Sequence, residues 1–143
     1  METNAWITLK GKQTVDGEDD SFELETAGKY VKRDGKYYIS YKGSEITGYD
    51  KTTTTLKIKD DYVSMIRLGD KGGASQMVFE RNKQYTGVYR TPHGSLTIDV
   101  ITNEMKIDID ENGGDIELDY FIQLNSSEPV RNNLCVNIRK VEN

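Results

Sequence analysis

Arg67 is the residue of this chain best placed for binding chemistry. It follows Val63 and Met65 at intervals of two, so in an extended strand the three side chains leave one face. If that face points inward, the guanidinium requires a carboxylate or a ligand anion, because an unpaired buried charge is costly. Its forked donors would then select an anionic or carbonyl-bearing group. If Tyr62, Ser64, Ile66 and Leu68 form the inward face instead, Arg67 projects into water. Tyr37, Tyr41, Tyr85 and Tyr89 have the same two options: hydroxyls lining a polar cavity, or rings packed in a core. The ligand-facing set expected from the sequence is Arg67, Tyr41, Tyr85 and Tyr89, with His93 in the neighbouring turn.

Other chemistry-bearing residues are weaker candidates. His93 is the single imidazole and lies in Thr91-Pro92-His93-Gly94, with no nucleophile beside it in sequence. Cys135 lies in an alternating segment with no adjacent cation to lower its pKa, so it reads as an inert thiol. Asp108-Ile109-Asp110-Glu111-Asn112-Gly113 follows the opening of a calcium loop, with Asp119 at the twelfth position. That position prefers a bidentate Glu, and strand-like segments flank the loop where helices belong, so an acidic hairpin turn is expected. Gly69 to Ser75 is glycine-rich, but a strand rather than a helix follows it, which argues against a phosphate loop. No nucleophile–base pair or carboxylate pair stands out. The expectation is a non-enzymatic protein, with no cofactor and no metal, that binds a small molecule; the alternative is an interaction module with a filled interior.

Composition narrows the class further. The chain has 143 residues, enough for one domain spanning 1–143. Charged residues make up 30%, while 9 Tyr, 3 Phe and 1 Trp weigh against disorder. One Cys and one His exclude an internal disulfide and a Cys- or His-rich metal site. No apolar run approaches a membrane span, and no membrane partner is expected. A net charge of −5 argues against nucleic acid as a partner. A protein partner is left unspecified, and the expected location is cytoplasmic.

The elements that must position these residues are strands. Ala5, Ile7 and Leu9 alternate with polar neighbours, as do Phe22 and Leu24, Leu96, Ile98 and Val100, Ile116 to Leu124, and Leu134, Val136 and Ile138. Period two means one face buried and one face wet. Breaks fall at Asp34-Gly35, Asp60-Asp61, Gly69 to Ser75, Asn82-Lys83, Thr91 to Gly94, Asn103-Glu104, Asn112 to Gly114 and Asn125 to Pro129. This rhythm predicts an all-β, antiparallel up-and-down meander of about eight to ten strands. Closure into a barrel would remove its exposed edges. A two-sheet sandwich is the alternative.

The order of several segments adds a resemblance. Tyr37-Tyr38-Ile39-Ser40-Tyr41, Glu45 and Gly48, Val63 to Gly69, Met77-Val78-Phe79-Glu80, Tyr89-Arg90-Thr91-Pro92-His93-Gly94 and Gly114 to Tyr120 together resemble the YwiB-like family of small bacterial proteins of unknown function. The resemblance implies a calycin-like, lipocalin-like β-barrel and a soluble intracellular bacterial protein. It implies no activity. Asn4-Ala5-Trp6 departs from the glycine-x-tryptophan of lipocalins. By analogy with calycins, Trp6 and Arg139 would stack across one barrel end.

Overall fold

The computed structural model describes residues 3–43, 52–69, 73–125 and 127–141. Ten strands run in chain order: β1 (Ala5–Val15), β2 (Glu18–Arg33), β3 (Lys36–Lys42), β4 (Thr52–Lys59), β5 (Tyr62–Gly69), β6 (Ala74–Glu80), β7 (Gln84–Thr91), β8 (Gly94–Asp110), β9 (Gly113–Leu124) and β10 (Val130–Lys140). Each pairs antiparallel with the next. β1 pairs with β10 from Ala5↔Lys140 to Thr14↔Arg131, which closes the barrel. There is no helix among the described residues. The barrel, not the sandwich, is the architecture, and the β1–β10 pair covers the edges that the two ends of the meander would otherwise leave.

Turn chemistry explains the connections. Asp34 and Gly35 both take positive φ, 54° and 77°, as a two-residue hairpin requires. Asp16 and Gly17 repeat the device at 51° and 76° between β1 and β2; this turn carries the same dipeptide signal but was absent from the breaks read above. At the β8–β9 hairpin, a Cβ on Gly113 would lie 2.1 Å from the Ile138 carbonyl oxygen, and one on Gly114 would lie 2.1 Å from that of Asp108. The bare backbone there lets β8, β9 and β10 meet.

One expected break is not a turn. Asn103-Glu104 lies inside β8, where the register with β9 shifts between Thr102 and Glu104. The extra residue of this β-bulge reverses the phase of the strand. Ile98, Val100 and Thr102 are buried before it, and Met105 is buried after it, with Ile107 and Ile109 packed against the core.

The core is built from the inward faces of the strands. Ile7, Tyr30, Ile39, Ile58, Val63 and Phe79 are almost wholly removed from water. The Phe79 ring meets Tyr120 edge-on at 4.7 Å, and Tyr30 stacks on Tyr37 at 5.5 Å. The Tyr30 hydroxyl donates to the Asp110 carbonyl at 2.6 Å and ties β2 to the end of β8. Trp6 and Arg139 do not span a barrel end. They are direct partners across β1 and β10 on the outer face.

Candidate functional site

A cavity interrupts this core, and Arg67 lines it. Register carries one inward row around the wall: Tyr41 opposite Thr54, Thr54 opposite Arg67, Arg67 opposite Ser75. Tyr41, Thr54 and Ser75 are buried, and Arg67 is half-buried. Arg67 therefore shares the inward face with Val63 and Met65, the first of the two options its spacing allowed.

Arg67, Ser75, Met77 and Tyr89 line a cavity of about 250 Å³, together with Ile98 of β8 and Tyr120 of β9. Its mouth lies among Phe22, Lys12 and Asn132. The Phe22 ring covers Gly11, its cross-strand partner, where a Cβ would come within 2.2 Å of it. A smaller recess of about 50 Å³ adjoins Arg67, Ser75 and Tyr89 on the side of Thr52, Gly69 and Gly73. The 250 Å³ cavity has two cations and no carboxylate in its described lining, although the chain holds 24 acids against 19 bases. Lys12 is at the rim, paired with Asp19 at 3.2 Å.

Of the residues expected to face a ligand, the structure brings Arg67 and Tyr89 onto one cavity. Tyr41 is in the same cross-strand row as Arg67 but belongs to the packed core. Tyr85 lies over Gly87, where a Cβ would meet its ring at 2.8 Å, and it lines an outer groove with Ile66, Leu68 and Val88. His93 is exposed in the β7–β8 turn, outside the cavity lining, and its backbone N–H donates to Thr91 Oγ1 at 3.1 Å. Glu25 faces the outside beside Lys10, and Glu80 pairs with Lys83 at 3.3 Å. Glu45 and Gly48 lie outside the described residues, as do Asp70 to Gly72 of the glycine-rich segment and Ser126.

A family model described as a domain of unknown function, DUF1934, matches residues 7–136. The chain belongs to the DUF1934 family. It is 26% identical over 140 residues to the uncharacterized beta-barrel protein YwiB of Bacillus subtilis (strain 168), covering 95% of this chain and 94% of that one. The crystal structure of the ywiB protein from Bacillus subtilis superposes with a TM-score of 0.81 at 21% identity, over 98% of this chain and 93% of that one. The fold of this DUF1934 member is thus that of the solved barrel.

One feature of this DUF1934 barrel escaped the residue pattern. Lys10 is the direct partner of Cys135 across β1 and β10, a cation that sequence separation hides. Burial nevertheless pushes the thiol up, Glu117 adds to the rise, and Lys10 only partly offsets them. The net effect disfavours the Cys135 thiolate. The β8–β9 hairpin resembles a calcium loop in letters only. Asp110 Oδ1 accepts from the backbone N–H of Asn112 at 2.8 Å, as in an ordinary Asx turn. Among the described residues no group of three His, Cys, Asp or Glu converges to hold a metal ion.

Proposed function

We propose that this protein is a non-enzymatic barrel that holds a small anionic or carbonyl-bearing ligand in its interior cavity beside Arg67. The observation that carries this is the inward Arg67 on a cavity shared with Tyr89 and Ser75. The apolar walls, Met77 and Ile98, suit the body of such a ligand, and the guanidinium suits its polar end. At about 250 Å³ the space is below the usual 300–1,000 Å³ of drug-sized sites, so the ligand is a small metabolite. A cytoplasmic location fits the free thiol of Cys135.

Native mass spectrometry of protein isolated from its own host tests this. The expected result is a retained small molecule that Arg67→Met releases, with thermal stability unchanged or raised. A charge-assisted hydrogen bond contributes about 1.5–3 kcal/mol, so affinity should fall roughly 10- to 100-fold. If Arg67→Met unfolds the barrel, the guanidinium is a structural cation and the ligand reading fails.

A further inference from the structure

The expectation against nucleic acid treats a net charge of −5 as evenly spread. The barrel does not spread it. Glu23, Glu25, Asp115 and Glu117 share an outer groove on β2, β1, β10 and β9, with Lys10 among them. The outer face of β3, β4 and the C-terminal half of β2 carries Lys29, Arg33, Lys36, Lys42, Lys57 and Lys59. Register puts all six outside, because their neighbours at odd spacing, such as Tyr30, Ile39, Tyr41, Leu56 and Ile58, are buried. None of the six makes an ion pair among the described residues. No carboxylate stands among the outward residues of β3, β4 and β5; Asp34, Asp60 and Asp61 are confined to hairpin turns at one end.

Two tyrosines are set among these cations. Tyr38 is directly opposite Lys57, and Tyr62 is directly opposite Lys59. Both rings are half-buried, so each keeps part of its surface open to solvent. Neighbouring strands lie about 4.8 Å apart, and alternate residues on one strand about 6.7 Å apart. A sheet face thus offers two aromatic rings, each beside an ammonium group; on its other side Tyr62 faces Glu80 of β6, which is paired with Lys83 at 3.3 Å. Cations neutralise phosphates, and aromatic rings stack on unpaired bases.

We propose that the outer face of β2–β5, built on Tyr38, Tyr62, Lys29, Lys57 and Lys59, binds single-stranded nucleic acid. The acidic groove on β9, β10, β1 and the first half of β2 borders this face and repels the same polymer, which confines it to the β2–β5 side. Binding here is independent of the interior cavity, because the two use opposite faces of the same strands. The aromatic pair favours a single strand over an acidic polypeptide, which offers charge but no bases to stack.

Fluorescence anisotropy of a labelled deoxythymidine oligomer, titrated with the full chain at low ionic strength, is the test. The expected result is saturable binding whose log affinity falls with log salt at a slope of about −2, as for three phosphates held. Lys57→Glu should weaken it at least tenfold. Tyr38→Ala should weaken it about tenfold while Tyr38→Phe keeps it, which separates stacking from folding. Lys10→Glu, on the acidic face, should leave it unchanged. The proposal is overturned if the oligomer does not bind at low salt. It is equally overturned if polyglutamate displaces the oligomer at equal charge, or if Tyr38→Ala and Tyr62→Ala bind as well as the parent; either result makes the face a docking surface for acidic proteins.

Discussion

Tyr30 concentrates the constraints on a single side chain. It is 1% exposed, stacks on Tyr37 and donates to the Asp110 carbonyl. Burial, with the nearby Tyr37 and Asp110, pushes its phenol well above the ordinary range. An acid whose folded pKa is raised contributes stability that is complete below its unfolded pKa. For a tyrosine that value is about 10, and stability declines as pH climbs above it. Denaturant midpoints should therefore hold to about pH 9 and then fall. Tyr30→Phe should remove much of that decline. It should also cost about 1–3 kcal/mol at neutral pH, because the Asp110 carbonyl loses its donor. A midpoint that stays flat to high pH in the parent would show that Tyr30 carries no such linkage. Cys135 makes a second residue-scale test: thiol reagents at neutral pH should modify it more slowly than a free cysteine, as burial and Glu117 disfavour the thiolate.

At the scale of elements, two irregularities stand out from the meander. The β8 bulge reverses phase at Asn103, so the residues on either side reach the core only because one extra residue intervenes. Deleting Asn103 should turn Met105, Ile107 and Ile109 outward or force a new register. The expected outcome is an unfolded or aggregated chain, read by size-exclusion chromatography and circular dichroism. The second irregularity is the β6–β7 seam, where the ladder among the described residues has the single pair Ala74↔Arg90. β5 and β6, by contrast, pair continuously from Tyr62↔Glu80 to Leu68↔Ala74. Amides of β7 directed at β6 should exchange hydrogen markedly faster than those of β9, since few ladder bonds protect them. Equal protection of the two sets would show the seam to be closed in solution.

The whole molecule depends on closure. β1 and β10 come from opposite ends of the chain, yet each is paired on both sides. Removing Val130–Lys140 would bare the edges of β1 and β9 together and expose Ile7, Leu9, Ile116 and Leu118. Open apolar edges recruit other chains, so the truncated protein should aggregate rather than persist as a nine-stranded sheet. A soluble, cooperatively folding truncation would mean that the remaining strands form a stable unit without closure.

Alternation of apolar and polar residues, together with turn dipeptides such as Asp34-Gly35, was enough to read strands, their buried faces and their up-and-down order. Both are local: a strand buries every second side chain, and a tight turn needs backbone that accepts positive φ. The break at Asn103-Glu104 was misread because a bulge and a turn interrupt alternation in the same way, and only pairing with β9 separates them. The inward direction of Arg67 was an even choice in the sequence, since Val63 and Met65 on one side faced Ile66 and Leu68 on the other. Closure decided it: packing buried Val63 and Met65 and left Leu68 56% exposed. Tertiary structure alone also decided that Tyr89 joins Arg67 while Tyr85 and His93 do not, and that Glu23, Glu25, Asp115 and Glu117 gather in one outer groove. Those relations join strands distant in sequence, and they are set by stagger and closure of the barrel, which no local pattern encodes.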